Sequence, residues 1–244
     1  MQEVEDFWSK VWEDIKTHNR DAPWIEDQEK ANEYQEQQKW IDITKEEALL
    51  AITKFRNWKA PGNDGIANFW ITNLTSIHDE LTTAYNDILK HPEKVPDWLT
   101  DGLTYLLPKT EETKNPKNYR PITSLPTMYK ILTSILTERT YTFLDENELL
   151  PTEQKGCKRG SYGCKDHLLI NEMILENCIR NKRNLSSAWI DYKKAFDSVP
   201  HSWIIKCLKM LKINPTVVNF ITASMKKWKT MFHFKQSKAA LRNY

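Results

Sequence analysis

A single carboxylate, Asp191, follows an apolar run of the chain, and its type and position could support metal chemistry. The run Ala188-Trp189-Ile190 precedes it, and an ionised carboxylate is costly to bury beside such side chains unless a positive partner meets it. A metal ion is one such partner, while pairing with a lysine or capping of a turn would give the carboxylate a purely structural role. For an arbitrary aspartate, the structural role is the commoner one.

Two cationic side chains, Lys109 and Arg120, flank a polar loop that is rich in turn-forming residues. Residues 102–107 and 120–124 have the composition of short strands, so the loop between them predicts the tip of a β-hairpin. Arginine offers a planar bidentate donor for phosphate, and lysine offers a mobile point charge. Ordinary solvation of two surface cations explains the same pair if no motif supports it.

A third cationic group lies after the middle of the chain, where basic residues alternate with glycines. Lysines and an arginine would attract a nucleic-acid backbone, and glycines allow the protein backbone to come close to it. The group consists of Lys155, Lys158, Arg159 and Lys165 with Gly156, Gly160 and Gly163.

Four motifs occur in order along the chain: WKAPGNDGI at 58–66, LLPK at 106–109 with NYRPI at 118–122, QKGCKRG at 154–160 and SAWIDYKKAFDSVPH at 187–201. Together they give the chain a resemblance to the reverse transcriptases of non-LTR retrotransposons. The family's next two motifs, a Gln-Gly loop and a Tyr-x-Asp-Asp turn, do not occur in this sequence. The resemblance covers roughly residues 6–232, and residues 233–244 read as an unrelated tail.

The resemblance implies a role for each matched residue. Asp191 would be the family's first metal-binding, catalytic aspartate, and Phe196 a ring that lies against the sugar of the incoming nucleotide and favours deoxynucleotides. Lys109 and Arg120 would contact the triphosphate. Residues implied to contact nucleic acid are Gly62 and Asp64 in a template-facing loop, and Gln154, Lys158 and Arg159.

By resemblance, the function is that of an RNA-directed DNA polymerase that adds deoxynucleotides to a primer with two Mg²⁺ ions. Its partners would be an RNA template, a DNA primer and deoxynucleoside triphosphates. No Asp or Glu follows Asp197, so we expect a fragment that is inactive alone and binds Mg²⁺ weakly or not at all. The alternatives are a non-catalytic RNA- or DNA-binding module and a non-functional transposon relic.

Apolar periodicity predicts a helix-rich framework around these residues. A strand is predicted at Leu185–Tyr192, ending near Asp191. The predicted helices comprise residues 5–20, with Trp8, Trp12 and Ile15 on one face, a helix that follows the Thr44–Glu47 capping box, and helices within 68–89, 128–144 and 168–179. Two further helices are predicted towards the carboxyl terminus, one capped by Ser198 and one opened by Asn214 and Pro215.

Helices combined with short, non-alternating strands indicate an α+β fold. The resemblance refines this to right-hand polymerase fingers with an incomplete palm. Residues 1–48 are predicted to form an acidic N-terminal helical extension, 49–180 the fingers with part of the palm, and 181–244 the first palm strand with its following helices. Without partner strands, an apolar edge at Leu185–Tyr192 would favour self-association.

The composition, with 40% hydrophobic and 28% charged residues, is typical of a soluble globular protein. No apolar run approaches the roughly 20 residues that cross a bilayer, and the acidic amino terminus does not resemble a signal peptide. We therefore expect an intracellular protein that does not associate with a membrane. The four cysteines lack a Cys-x-x-Cys pattern, which favours reduced, packed thiols over zinc ligands or disulfides.

The charge is uneven along the chain although the net charge is only +2. Residues 1–48 hold 6 basic and 14 acidic side chains, whereas residues 198–244 hold 9 basic and no acidic ones. This gradient indicates that the carboxyl-terminal end suits a polyanion, and a solvated lysine face is the alternative.

Overall fold

A computed structural model describes residues 2–13, 16–109, 111, 115–192, 194–234 and 237–242. Within these ranges the helices are α1 Gln2–Trp12, α2 Pro23–Ala31, α3 Lys45–Lys54, α4 Asn68–Asn73, α5 His78–Lys90, α6 Asp97–Thr100, α7 Thr127–Glu146, α8 Cys164–Arg180, α9 His201–Met210 and α10 Pro215–Lys227. The strands are β1 Asp101–Pro108, β2 Tyr119–Ser124, β3 Lys229–Phe234 and β4 Ser237–Arg242.

The chain divides into two compact units. The core unit consists of Met1–Tyr141 with Phe196–Tyr244, and the inserted unit consists of Thr142–Ala195. Helices and a small mixed sheet make up the core unit, which confirms the α+β prediction. The division into polymerase fingers and palm stays a proposal.

The sheet of the core unit has the order β2-β1-β3-β4. Strand β1 pairs antiparallel with β2, with Leu107 opposite Arg120, and parallel with β3, with Leu103 opposite Met231. Threonine hydroxyls join the strands on one face, since Thr104 Oγ1 lies 2.6 Å from Thr123 Oγ1 and 2.5 Å from Thr230 Oγ1. The central position of β1 therefore fixes where the β1–β2 hairpin lies.

Helices α3 and α7 frame the core of this unit. Thr44 and Glu47 form the predicted capping box, with the Glu47 N–H donating to Thr44 Oγ1 at 3.3 Å and the Thr44 N–H to Glu47 Oε2 at 3.1 Å. Along α7, the predicted apolar face is buried at Ile131, Leu132, Ile135 and Leu136. Both helices thus form as their sequences predict.

A clamp around Arg139 ties α7 to the segment before α3. Its guanidinium donates to both carboxylate oxygens of Glu47, at 2.8 and 2.6 Å, and to the carbonyl oxygens of Ile41 and Asp42. It also lies 4.9 Å from the centre of the Trp40 ring. Such a bidentate, doubly anchored pair is stronger than an ordinary surface ion pair.

The inserted unit contains the last residues of α7, a loop and α8. Helix α8 has no buried side chain, and its apolar residues Leu168, Leu169, Met173 and Ile179 are all exposed. A helix that is apolar on most of its circumference is normally buried. Its sequence therefore has more apolar surface than the described residues cover.

Several local predictions need correction. The first helix ends at Trp12, short of the predicted residue 20, and Ile15 lies outside the described residues. Helix α9 begins at His201 with Pro200 as its N-cap and no side-chain cap, so Ser198 does not cap it. All four cysteines are free, but Cys157 and Cys164 are exposed rather than packed.

The prediction of a strand at Leu185–Tyr192 is wrong. This segment has no regular secondary structure, and Trp189 is 74% exposed. A strand requires a hydrogen-bonded neighbour, and the four described strands pair only with one another. Strand-like composition without a partner therefore leaves the segment exposed and without regular secondary structure.

Across the described residues, no helix combines the length and apolar character that a membrane crossing requires.

Candidate nucleotide and nucleic-acid interface

Lys109 and Arg120 lie on the same face of the β1–β2 hairpin. Arg120 is opposite Leu107 in the antiparallel register, and the Lys109 N–H donates to the Asn118 carbonyl oxygen at 2.6 Å. Because side chains alternate between faces along a strand, Lys109, two positions after Leu107, is a diagonal neighbour of Arg120, at about 7–8 Å between the two positions. Both side chains are exposed and make no hydrogen bond or ion pair to another described side chain.

Asp191 belongs to the inserted unit, in the segment that lacks a strand. Its side chain is exposed, so no buried apolar wall surrounds the carboxylate. The rigid strand end predicted to hold Asp191 is therefore absent from the described structure. Its metal-binding role stays a prediction.

Phe196 and Asp197 follow at the start of the second part of the core unit. Phe196 is 93% exposed, which leaves the predicted contact with a nucleotide sugar untested. Asp197 instead has a structural contact, since its Oδ1 accepts a hydrogen bond from Trp12 Nε1 at 3.1 Å. Trp12 in turn stacks on Phe232 with ring centres 5.6 Å apart, so α1 holds this turn against β3.

The donor set around Asp191 does not fit a two-ion magnesium centre. Mg²⁺ requires near-octahedral oxygen ligands and is commonly held by one or two carboxylates together with substrate phosphates. In the part of the chain that the structure describes, no cluster of three or more His, Cys, Asp or Glu side chains could hold a metal. Because Asp191 offers one carboxylate and Asp197 is engaged by Trp12, we assign no catalytic step to a metal here.

The Pro61–Gly65 loop is packed tightly against the segment that precedes α7. Gly62 is buried, and a Cβ there would lie 2.4 Å from the Pro126 nitrogen and 2.6 Å from the Leu125 carbonyl carbon. Asp64 is exposed, and its Oδ1 accepts the Ile66 N–H at 3.1 Å. Gly62 therefore serves the packing of the loop, and contact of either residue with nucleic acid stays a prediction.

Gln154, Lys158 and Arg159 lie together in the loop of the inserted unit before α8. Gln154 Nε2 donates to the Gly156 carbonyl oxygen at 2.7 Å, and Lys158 Nζ lies 3.3 Å from the Pro151 carbonyl oxygen. Arg159 is exposed. These contacts show how the loop is folded, and its role in nucleic-acid binding stays a prediction.

A further basic cluster has no local signal in the sequence. Arg56, Lys59 and Lys130 line one cavity of about 310 Å³ in the core unit, next to the end of β2. Lys59 lies inside the WKAPGNDGI motif, but Lys130 comes from α7, far along the chain. Only the fold brings them together, so no local sequence pattern could have identified the cluster.

Comparison with known proteins identifies a family. Residues 107–240 match the family described as reverse transcriptase (RNA-dependent DNA polymerase), which is more than half of the chain. This match includes Lys109, Arg120 and Asp191 and continues to residue 240, within β4. The expectation that likeness ends near Phe232 is therefore wrong, because the matched region extends past this residue into β4.

Relatives with curated descriptions agree with this match. A retrovirus-related Pol polyprotein from the type-1 retrotransposable element R2 of Popillia japonica is 33% identical over 75% of this chain and 24% of its own length. In Drosophila melanogaster, the probable RNA-directed DNA polymerase from transposon BS is 26% identical over 69% of this chain and 19% of its own length. The RNA-directed DNA polymerase from mobile element jockey of that species is 26% identical over 69% of this chain and 18% of its own length.

The alignments cover about a quarter or less of the length of these relatives. Their names confirm the resemblance to proteins of non-LTR retrotransposons and favour neither a separate binding module nor a relic. The chain belongs to the reverse transcriptase (RNA-dependent DNA polymerase) family.

Proposed function

We propose that this chain is the part of a retrotransposon reverse transcriptase that binds the incoming deoxynucleoside triphosphate on the β1–β2 hairpin, beside an RNA template and a DNA primer. The observation that carries the proposal is the hairpin register, which puts Lys109 and Arg120 on one exposed face. In this proposal residues 49–180 supply the fingers and part of the palm. Residues 181–244, with Asp191, supply the beginning of the palm.

The two side chains have complementary properties for a triphosphate. The guanidinium of Arg120 can donate two parallel hydrogen bonds to one phosphate, and the mobile ammonium of Lys109 can follow a second one. Because neither cation is engaged by another described side chain, a phosphate ligand would not have to displace an existing ion pair. Each charge-assisted hydrogen bond contributes about 1.5–3 kcal/mol to binding.

A titration with a fluorescent deoxynucleoside triphosphate tests the proposal. Replacing Lys109 and Arg120 together by alanine should weaken its binding at least about tenfold, which corresponds to about 1.4 kcal/mol. The matched control is Lys94→Ala, in the exposed turn Pro92–Lys94, which should leave the affinity unchanged. Equal affinities of the double variant and the unaltered chain would refute the assignment.

Primer extension is a separate property. We expect the 244-residue polypeptide alone not to extend a primer on an RNA template, because its described residues offer no cluster of metal ligands around Asp191. Mg²⁺ would then bind only weakly, because Asp191 supplies a single carboxylate. Extension by the purified chain that is lost in Asp191→Ala would contradict this part of the proposal.

Self-association is the remaining element of the proposal. Leu185, Trp189 and Ile190 are exposed in a segment without regular secondary structure, and unpaired backbone groups beside apolar side chains favour pairing with another chain.

A further inference from the structure

Trp12, the last residue of α1, connects the sheet of the core unit to the chain beside Phe196. Its ring stacks on Phe232 of β3, with ring centres 5.6 Å apart and an angle of 15° between the ring planes. Its indole Nε1–H donates a hydrogen bond to Asp197 Oδ1 at 3.1 Å. One side chain therefore contacts a strand with its ring and a turn with its polar group.

The sheet end of this connection is fixed by packing. Phe232 is completely buried, and its strand β3 pairs with β1. Trp12 also contacts Trp8, with ring centres 5.0 Å apart, and Trp8 is buried as well. The Trp12 ring is thus held against the same sheet whose β1–β2 hairpin carries Lys109 and Arg120.

The other end of the connection is a solvent-exposed turn. Phe196, Asp197 and Ser198 are exposed and have turn conformation. Since Phe196 is 93% exposed, packing around its ring does not fix the position of the ring. Asp197 is joined to Phe196 by a peptide bond, so the hydrogen bond from Trp12 restrains the backbone that carries this ring. Supporting hydrogen bonds of this kind determine how precisely a site residue is placed.

The segment after α1 also contacts the chain that follows this turn. The His18 N–H donates to Ser202 Oγ at 3.1 Å, and His18 Nδ1 lies 2.8 Å from the same oxygen. Ser202 belongs to the first turn of α9, and its neighbour Trp203 packs on Trp24 of α2 with ring centres 5.2 Å apart. The N-terminal part of the chain therefore contacts the chain at successive points from Asp197 to Trp203.

The hydrogen bond between Trp12 and Asp197 affects position more than stability. Because this contact is solvent-exposed, water can replace either partner when the bond is lost, and no buried polar group is left unsatisfied. The stacking of Trp12 on Phe232 does not need the indole N–H group. Replacing Trp12 by phenylalanine therefore removes the restraint on Asp197 and keeps an aromatic ring against β3.

We propose that Trp12 is a positioning residue for nucleotide selection, which acts through Asp197 to hold the Phe196 ring in place relative to the triphosphate site on the β1–β2 hairpin. The ring then occupies the volume beside C2′ of the bound sugar, so a 2′-hydroxyl is excluded. A ring that moves away excludes this hydroxyl less well, because steric exclusion depends on position. This inference rests on the proposed function and on the sugar contact predicted for Phe196, and it adds the element that controls this contact.

Titrations of the full chain with fluorescent deoxy- and ribonucleoside triphosphates of the same base test the inference. The unaltered chain should bind the deoxynucleotide at least about tenfold more tightly. Trp12→Phe should reduce this ratio to about threefold or less, mainly because the ribonucleotide binds more tightly. The fraction of folded protein affects both affinities equally, so a loss of stability alone does not change the ratio. Trp24→Phe is the matched control and should leave the ratio unchanged, because Trp24 packs on Trp203 and not on the Phe196 turn.

Variants of Asp197 test whether the hydrogen bond carries the effect. Asp197→Asn keeps an oxygen that can accept the indole N–H and should preserve most of the ratio, whereas Asp197→Ala should lower the ratio as Trp12→Phe does. Combining Trp12→Phe with Asp197→Ala should cause no further loss, because both changes remove the same bond. Equal losses in Asp197→Asn and Asp197→Ala would show a requirement for negative charge and overturn the inference.

A variant of Phe196 tests whether Trp12 acts through this ring. Phe196→Ala should lower the ratio, and adding Trp12→Phe to it should have no further effect. Additive losses in this pair of variants overturn the inference, since they would show that Trp12 affects the nucleotide by another route.

Backbone order parameters from NMR measure the restraint without a nucleotide. The values for Phe196 and Asp197 should be lower in Trp12→Phe than in the unaltered chain, falling from about 0.85 towards about 0.6. In Trp24→Phe they should be unchanged. Equal order parameters in Trp12→Phe and the unaltered chain overturn the positioning role.

The outcomes separate this inference from the proposed function. An unchanged ratio in Trp12→Phe, together with the expected loss of triphosphate binding in the Lys109, Arg120 double variant, overturns the role of Trp12 and leaves the proposed function standing. Normal triphosphate binding by that double variant overturns the proposed function instead. Equal binding of both nucleotides by the unaltered chain also overturns the inference, because there is then no selection for Trp12 to support.

Discussion

Two segments with similar strand-like composition, β1 and residues 185–192, reach different states in this protein. Strand β1 has hydrogen-bonded neighbours on both sides, and its Leu103 and Thr104 are buried. The segment that leads to Asp191 pairs with none of the described strands, and Trp189 and Ile190 are exposed. The difference shows that strand-like composition alone does not form a strand, because the backbone hydrogen bonds of a strand also require a paired neighbour.

The helices of the two units show the same contrast. In the core unit, α7 buries Leu132 completely, whereas Leu169 of α8 in the inserted unit is 60% exposed. Replacing Leu132 by alanine should lower the free energy of unfolding by about 3 kcal/mol, because it leaves a cavity in a packed core. Leu169→Ala should change it by less than about 0.5 kcal/mol. Urea unfolding of both variants checks this, and equal losses would remove the contrast.

The glycines give a second, smaller test. A Cβ at Gly62 would meet the backbone of Leu125 and Pro126, which has little freedom to move, so Gly62→Ala should cost about 2 kcal/mol. At Gly156 of the inserted unit the nearest atom is Gln154 Nε2 at 3.6 Å, and Gly156→Ala should be nearly neutral. Thermal unfolding measures both. A neutral Gly62→Ala would show that the loop is looser than its packing indicates.

The Arg139 clamp should make part of the core unit's stability depend on pH. The hydrogen bond from Arg139 lowers the pKa of Glu47 below its usual 4.5, so the folded chain releases this proton more readily than the unfolded chain. The stabilisation is therefore complete above about pH 5 and is lost as the pH falls through the lowered pKa.

Glu47→Gln should remove about 1 kcal/mol at pH 7, with a shallower loss of stability towards acid. Glu47 is about a third exposed, which keeps the estimate small. The control is Glu26→Gln, in the exposed pair with Lys30, which should change little. Parallel acid-unfolding curves for Glu47→Gln and the unaltered chain would contradict the role of the clamp.

The smallest expected effect on stability concerns the exposed segment. Ile190→Lys should leave the free energy of unfolding within about 0.5 kcal/mol, because the side chain is already in solvent. It should nevertheless reduce self-association, since a charge beside an open edge opposes pairing. Sedimentation over a range of protein concentrations distinguishes the two effects. Association that is unchanged by Ile190→Lys would exclude this edge as the contact.

Prediction from the sequence works well where local signals and packing agree. The Thr44–Glu47 capping box, the Asn214-Pro215 helix start and the β1–β2 hairpin all depend on neighbouring residues, and all are observed. The family and the pairing of Lys109 with Arg120 follow from the motifs. The position of Asp191 does not follow, because a strand end depends on a partner that local composition does not contain.

The basic cavity next to the end of β2 and the role of Gly62 cannot be predicted from the sequence for a different reason. Lys59 and Lys130 meet only after α3, β2 and α7 have packed, so their separation in the chain hides the cluster. The glycine-containing motif indicates a ligand-facing loop at Gly62. The constraint in the structure is the nearby backbone of Pro126, which no pattern around residue 62 reveals.

The parallel pairing of β1 with β3 has a consequence for biosynthesis. The buried hydroxyls of Thr104 and Thr230 meet across 126 positions of the chain. At about 5–20 residues per second on the ribosome, β1 would wait roughly 6–25 seconds for this neighbour. During that interval the β1–β2 hairpin would expose one edge, and such long-range pairing slows folding. A nascent chain paused before residue 229 is therefore the form most in need of a chaperone.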